Sequence, residues 1–142
     1  MSHFDESVVD VRDLIERVEE LRSERDDAEL AAQDDGETAE AGRAVWVREN
    51  PEEADELELL EGVLSELCGC GGDEQWEGDW YPVTLIAETY FEEYAEELAR
   101  DCGMVNAEAT WPNNHIDWAA AADELKIDYS SIEVNGDTFY YR

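Results

Sequence analysis

The side chains of this sequence that could act chemically are mostly carboxylates. The chain has 40 Asp and Glu against nine Lys and Arg, a formal charge of −31 on 142 residues, and its one lysine is Lys126. Like charges repel one another in a compact state and therefore oppose folding. Two interpretations account for that cost. Either the carboxylates imitate the phosphates of a nucleic acid, or the protein works in concentrated salt that screens their repulsion.

The most regular carboxylates recur every three or four residues, which places them on one face of a helix. This row consists of Asp13, Glu16, Glu20, Glu24 and Asp27. A helix rises 1.5 Å per residue, so the row is roughly 20 Å long. Duplex DNA carries one charge per about 3.4 Å on each strand. We therefore expect the row to imitate the phosphates along one groove edge, and we expect seven more carboxylates to extend it: Glu52, Asp55, Glu66, Glu92, Glu93, Glu96 and Glu97.

The remaining chemically active side chains are two histidines and three cysteines: His3, His115, Cys68, Cys70 and Cys102. The Cys-Gly-Cys segment with one distant cysteine lacks a complete set of metal ligands. An odd number of cysteines also does not indicate a secreted disulfide scaffold. We expect structural or incidental thiols, with a strained redox pair as the alternative. We predict no metal site, no cofactor and no catalytic residue.

Two arrangements could nevertheless serve an enzyme. His115 and Asp117 could be a base and the group that orients it, and Cys102 with His115 could be a nucleophile and its base. Asp117 is explained more simply as the N-cap of a helix. The glycines of 69–72 are followed by acids, which would repel phosphate. An enzyme that uses Cys102 or His115 is therefore the third interpretation, after the two given above.

The charge also limits the partners. DNA, RNA and anionic membranes require basic surfaces, so we expect none of them to bind directly. We expect a basic protein as the partner. The sequence has no secretory signal at its start and no apolar run long enough to span a bilayer, which predicts a cytoplasmic location in the host cell.

Apolar periodicity predicts two helices in the first half of the chain. The first runs over 9–33, with Asp10 as its N-cap, and the second begins at Asn50-Pro51 and continues to residue 67. Their apolar stripes predict that they pair as an antiparallel hairpin. Residues 37–49 fit either a frayed helix or a short strand at 45–47.

The second half holds most of the aromatic residues and mixes helices with strands. Residues 69–82 are expected to be a turn-rich junction. Thr89 and Glu92 predict a capping box for a helix over 90–102. Asp117 is expected to cap a helix from 118 to about 126, and Asn135-Gly136 predicts a hairpin over 132–141.

The fold class is therefore α+β and helix-rich. We expect an N-terminal antiparallel helical hairpin in residues 1–70. We expect residues 71–142 to form a compact, aromatic-rich α+β domain with helices and a C-terminal β-hairpin.

Several segments resemble the C-terminal part of small acidic phage and mobile-element proteins of the ArdA antirestriction type. These segments are the run 90–99, Trp111-Pro112, Ile116-Asp117-Trp118, Asp128-Tyr129 and 136–140, and the opening segment 9–17 is also similar. The resemblance implies a DNA mimic that blocks type I restriction-modification enzymes by occupying the DNA groove of their specificity subunit, usually as a dimer. The segment 10–67 does not resemble the family's N-terminal domain, so the target could differ.

We therefore predict a non-enzymatic phage or mobile-element anti-defence protein. It would inhibit a host DNA-binding nuclease, a type I restriction-modification enzyme or a similar complex, by occupying its DNA-binding groove. The alternatives are an acidic interaction module of a halophile or its virus without DNA mimicry, and an inhibitor of a CRISPR complex.

Overall fold

The computed structural model describes residues 3–103, 111 and 115–142. It confirms the α+β, helix-rich class. The chain forms two compact units, a helical unit over Val11–Tyr81 and a sheet unit made of Met1–Asp10 together with Pro82–Arg142. This division differs from the expected 1–70 and 71–142. The strand before the first helix pairs within the sheet unit, and the segment that follows the helices packs on them.

The helical unit contains three helices: α1 (Val11–Asp34), α2 (Ala39–Glu49) and α3 (Pro51–Leu67). Helix α1 begins directly after Asp10, the expected N-cap position. The expected helix start at residue 9 is corrected, because residues 8–10 form a strand. The predicted apolar stripes are buried. They are Val11, Leu14, Ile15, Val18 and Leu21 on α1, and Leu57, Leu60, Val63, Leu64 and Leu67 on α3.

Residues 39–49 are a helix, and the alternative of a strand at 45–47 is wrong. Thr38 caps α2, since its hydroxyl accepts a hydrogen bond from the Ala41 N–H at 3.1 Å. Trp46, the middle residue of the alternative strand, is buried on this helix. The sequence was ambiguous here because α2 is short and carries only a narrow apolar face.

The N-terminal helical hairpin is formed by α1 and α2. Gly42 lies against Ala28 and Ala32, and Arg43 reaches back to Glu29, so these helices run antiparallel. The sequence predicted that the first helix and the 51–67 helix form the antiparallel hairpin. That prediction is wrong, because the helix over 39–49 is the antiparallel partner of the first helix.

Helix α3 runs parallel to α1. Arg17 pairs with Glu56 and Arg22 pairs with Glu61, so residue numbers rise together along both helices. The intervening helix α2 reverses the chain once more, which brings α3 back in the direction of α1.

Asn50 ends α2 and does not cap α3 with its side chain. Its Nδ2 donates to the Trp46 carbonyl at 3.0 Å, and its backbone N–H donates to the same oxygen at 2.8 Å. Pro51 occupies the first turn of α3 as expected. A proline lacks the N–H that would otherwise need a partner at this position, so the helix start tolerates the missing cap.

The expected turn-rich junction contains a β-hairpin, β2 (Asp73–Trp76) and β3 (Asp79–Tyr81). Glu77 and Gly78 form the turn with φ values of 51° and 78°, the left-handed pair that a two-residue hairpin requires. The Gln75 side-chain amide donates to the Tyr81 carbonyl at 2.8 Å. These strands are three or four residues long and acidic, so they lack the alternating apolar pattern that predicts a strand.

The sheet unit holds a four-stranded antiparallel sheet made of β1 (Val8–Asp10), β4 (Thr84–Ala87), β5 (Ser130–Val134) and β6 (Asp137–Tyr141). The strand order across the sheet is β1-β4-β6-β5. The predicted C-terminal hairpin is confirmed. Asn135 and Gly136 at its turn have φ values of 53° and 86°, as a two-residue turn of this kind requires.

In the described residues of the sheet unit, two α-helices occur, α4 (Phe91–Asp101) and α5 (Trp118–Leu125). Asp117 caps α5 as predicted, because its Oδ1 accepts from the Ala120 N–H at 3.1 Å. The capping box of Thr89 and Glu92 is wrong. Residues 88–90 form a short 3₁₀ turn, and Tyr90 at the cap position makes no side-chain capping bond.

Helix α4 starts at Phe91 because this ring is the centre of the aromatic core. Phe91 is fully buried, and its ring centroid lies 5.5 Å from that of Tyr94, 5.3 Å from that of Tyr129 and 5.0 Å from that of Tyr140. Aromatic pairs at these separations stabilise a core beyond their buried area. Packing therefore decides the helix start, and the local capping signal does not.

The close contact of α1 and α2 at Gly42 gives a test of the helical unit. A Cβ at residue 42 would lie 2.5 Å from the Ala28 carbonyl oxygen and 2.8 Å from the Glu29 Cα. Gly42→Ala should therefore lower the free energy of unfolding by about 1–3 kcal/mol, as overpacking does, although alanine favours helices. Urea unfolding followed by circular dichroism measures this change.

Gly62→Ala is the matched control, because a Cβ at residue 62 meets nothing within 4 Å on α3. It should raise the free energy of unfolding by up to about 1 kcal/mol, the helix preference of alanine over glycine. Equal stabilisation by both substitutions would contradict the close approach of α1 and α2.

Candidate functional site

The carboxylate row lies on α1, and all five of its members are exposed. Helix α1 continues without a break over 24 residues. Its buried stripe lies on the opposite face, so packing with α2 and α3 leaves the row in solvent. The row extends over roughly 20 Å, from the 1.5 Å rise per residue.

Four of the five carboxylates have no ion-pair or hydrogen-bond partner in the described part of the chain. The exception is Glu20, whose carboxylate lies 3.0 Å from the Arg17 guanidinium. The sequence places no basic residue in the row, but the long Arg17 side chain reaches it from the neighbouring face. Arg17 also contacts Glu56 at 2.7 Å. These two carboxylates raise the pKa of Arg17, chiefly through the hydrogen bond to Glu56.

A second arginine joins α1 to α3 and to the β2–β3 hairpin. Arg22 lies 3.4 Å from Glu61 and 3.4 Å from Glu77, and its guanidinium carbon is 4.8 Å from the Trp76 ring centroid. The indole N–H of Trp76 donates to Glu19 at 2.9 Å. Arg22 is therefore held by two carboxylates and an aromatic face at once.

The third such contact links α1 and α2. Arg43 donates to Glu29 at 2.8 Å, and Arg25 lies 4.0 Å from the same carboxylate. The hydrogen bond to Glu29 raises the pKa of Arg43. The sequence did not identify Glu29, Glu56, Glu61 and Glu77 as ion-pair partners. A usable signal was that Glu56 and Glu61 flank the buried positions Leu57 and Leu60.

The helical unit contains 24 Asp and Glu against six Arg. Four of these arginines lie in the contacts just described, which bind the elements of the unit to one another. The carboxylates they engage are mostly outside the row. The row therefore keeps nearly its full negative charge.

The other predicted carboxylates do not form a comparable row. Glu52, Asp55 and Glu66 are exposed on α3, but Leu59 and Gly62 interrupt their spacing. They lie in the same unit as the α1 row and on a separate helix. The expected extension of the row along 52–66 is therefore not continuous.

The four predicted carboxylates on α4 belong to the sheet unit, and two of them have a partner. Glu96 pairs with Arg100, and Glu97 accepts a hydrogen bond from the Tyr90 hydroxyl at 2.8 Å. That hydrogen bond raises the pKa of Tyr90. Glu92 and Glu93 are exposed. Their role as an extension of the row stays a prediction.

The cysteines are free thiols, and one contacts a buried tyrosine. Burial and a hydrogen bond with Cys68 raise the pKa of Tyr81 to about 12. The Cys70 thiol lies 3.4 Å from the Glu66 carbonyl oxygen at the end of α3. Within residues 3–103, 111 and 115–142, no three His, Cys, Asp or Glu side chains are placed where they could hold a metal ion.

In the same described ranges, no helix is both long enough and apolar enough to cross a membrane.

No family model, no curated protein and no solved structure matches this chain.

Two carboxylates of the helical unit should respond in opposite ways to neutralisation. Glu24 has no cationic partner and lies four residues from Glu20 and three from Asp27. Glu24→Gln removes these repulsions and should raise the free energy of unfolding by about 0.5 kcal/mol at low salt. Glu56→Gln removes the partner of Arg17 and should lower it by roughly 1 kcal/mol.

Urea unfolding at low salt and again at molar salt checks both changes. The gain from Glu24→Gln should shrink as salt screens the repulsion. A loss of stability on neutralising Glu24 would show that this carboxylate is engaged, contrary to its position in the row.

The raised pKa of Tyr81 predicts an alkaline loss of stability. The unfolded chain has an ordinary tyrosine pKa near 10, and the folded value is about 12. The folded state thus favours the protonated phenol, and this stabilisation is complete below pH 10 and is lost as the pH rises towards 12. Tyr81→Phe should flatten the decline of unfolding free energy between these values. An identical decline in the variant would contradict the assignment.

Proposed function

We propose that this chain is a non-enzymatic inhibitor of a host DNA-binding nuclease and acts by imitating the phosphates of DNA. The observation that carries the proposal is the continuous row of exposed carboxylates on α1. The row is rigid because α1 is packed on two helices through its opposite face. It is charged because the arginines of the unit are engaged mainly with other carboxylates.

The row's spacing supports this role. Successive members lie on one helix face with Cβ atoms about 5–6 Å apart. A protein that binds DNA places Lys and Arg along a phosphate strand and releases counterions when it binds. The same cations would meet the α1 row as a linear series of negative charges. A partner of this kind is basic, which also fits a helical unit with 24 acids and six arginines.

The proposed setting is a phage or mobile element in the cytoplasm of its host. The resemblance of the C-terminal segments to ArdA-type antirestriction proteins supports a type I restriction-modification enzyme as the first target to test. A CRISPR complex is the second. A homodimer would double the number of rows presented to the target.

Salt adaptation is the second candidate function, and the wide distribution of the acids favours it. The sheet unit carries 16 Asp and Glu against three basic residues, and so is also strongly acidic without a row of five. An acidic interaction module of a halophile would have this composition. Salt adaptation requires many exposed carboxylates but does not require them to be aligned.

The row is tested by removing its four unpaired charges together. The variant carries Asp13→Asn, Glu16→Gln, Glu24→Gln and Asp27→Asn. Inhibition of DNA cleavage by a type I restriction-modification enzyme should weaken by about tenfold or more, the range in which a focused field changes association. Cleavage is measured against inhibitor concentration at moderate salt.

The matched control removes four charges outside the row: Asp34→Asn, Asp35→Asn, Glu37→Gln and Glu49→Gln. Total charge is then identical in the two variants, and only its placement differs. The control should inhibit nearly as well as the native chain. Equal weakening of both variants would refute the row and leave total charge as the cause.

A further inference from the structure

The β2–β3 hairpin presents an exposed tryptophan on its outward face. The Trp80 side chain is 51% exposed, whereas its neighbour Tyr81 is buried. Successive residues of a strand point to opposite faces, so Tyr81 packs towards the helices and Trp80 faces solvent. An indole that is exposed on a highly charged surface is available to contact a partner.

An acidic residue pairs with Trp80 across the hairpin, next to a bulge at Gln75. Glu74 on β2 is the cross-strand partner of Trp80 on β3, and Glu74 is exposed. Directly opposed residues of an antiparallel pair have Cβ atoms about 4.5–5.5 Å apart. The outward face of the hairpin thus offers an aromatic surface and a carboxylate within reach of a single side chain.

The inward face of the same hairpin shows what this combination binds. There, Arg22 lies 4.8 Å from the Trp76 ring centroid and 3.4 Å from the Glu77 carboxylate. An arginine is favoured over a lysine in such a place, because its planar guanidinium stacks on the ring and still forms forked hydrogen bonds to a carboxylate. The outward face repeats the same two chemical groups towards solvent.

We propose that Trp80 and Glu74 form a binding site for an arginine side chain of the basic partner protein. The charge of the surroundings favours a cation, since the hairpin carries Asp73, Glu74, Glu77 and Asp79 and no basic residue. Proteins that hold the DNA backbone use arginine for that purpose. The site therefore deepens the proposed function, on which it rests, by naming a side chain that the partner contributes.

The backbone around the site is fixed before any partner binds. The Trp80 carbonyl accepts a hydrogen bond from the Gly69 N–H at 2.7 Å, and the Trp76 and Tyr81 rings lie 6.2 Å apart on the inward face. With its backbone held, Trp80 has only its side-chain torsions left to order on binding. Trp and Arg are also the residues that most often dominate the energetics of protein interfaces.

The probe for this site is a short peptide of alternating glycine and arginine, compared with the same peptide in which lysine replaces arginine. Both peptides have the same charge, so general attraction to the acidic surface cancels. Binding to the full chain is measured by calorimetry at low salt. The indole N–H resonance of Trp80 is followed in parallel by ¹H–¹⁵N NMR.

The native chain should bind the arginine peptide more tightly than the lysine peptide, by up to roughly fivefold, because the guanidinium adds stacking and forked hydrogen bonds to the cation–π attraction that both cations make. The Trp80 indole resonance should shift with the arginine peptide. Trp80→Leu keeps an apolar side chain and removes the aromatic face, so it should abolish the preference by weakening the arginine peptide more than the lysine peptide.

Trp111→Ala is the control, because Trp111 is another exposed tryptophan, at 74% exposure. It should keep the preference for arginine. Retention of the preference in Trp80→Leu, or an unshifted Trp80 resonance, would overturn the site. Glu74→Gln offers a second variant, which should weaken the preference without removing an apolar side chain.

The outcome is separate from that of the proposed function. If Trp80→Leu loses no arginine preference but the native chain inhibits a DNA-cleaving enzyme through the α1 row, only the arginine site fails. If the preference depends on Trp80 but no DNA-binding enzyme is inhibited, the proposed function fails and the arginine site stands.

Discussion

The helical unit depends on arginines that face other parts of the unit. Its 24 carboxylates repel one another, and only six arginines oppose them. Arg17 and Arg22 join α1 to α3, and Arg43 joins α2 to α1. Arg17 and Arg22 are half-buried, so their attraction to a carboxylate is screened less than that of the exposed Arg43. The apolar stripes supply the core, and these ion pairs join neighbouring helices at its edge.

The carboxylates of the unit differ in whether an arginine binds them. Arginines of the unit bind Glu29, Glu56, Glu61 and Glu77, whereas four members of the α1 row have no such partner among the described residues. A surface that imitates a phosphate strand needs a fixed series of charges with few cations beside it. The same hairpin that holds Arg22 on its inner face displays Trp80 on its outer face, so one element both stabilises the unit and contributes to its surface.

The sequence predicted the elements that carry strong local signals. The α1 and α3 periodicities, the Asp117 cap and the Asn135-Gly136 turn all specify their structures locally, and each is confirmed. The α1 row could be read from spacing alone because a helix fixes which residues share a face. Its exposure followed from the position of the apolar stripe on the opposite side.

The missed features depend on contacts distant in sequence. Strand β1 becomes a strand because β4 pairs with it, and the sequence assigned most of it to the helix. The capping box at Thr89 and Glu92 does not form, because the burial of Phe91 decides where α4 begins. The hairpin at 73–81 is held by Arg22 and by the Cys68–Tyr81 contact, neither of which is visible in the acidic strands themselves. Glu56 and Glu61 pair with arginines of α1 only because α1 lies beside α3 and runs parallel to it. The direction of α3 in turn depends on whether residues 39–49 form a helix, which the sequence left open.

The central claim is that the carboxylates of this chain and the phosphates of DNA compete for one binding surface. The most direct measurement is the apparent Kd of the chain for a type I restriction-modification enzyme at increasing concentrations of duplex DNA, at constant ionic strength. The account predicts that the apparent Kd rises in proportion to the DNA concentration, as it does for two ligands that exclude each other. An apparent Kd that stays constant while the DNA saturates the enzyme would contradict it.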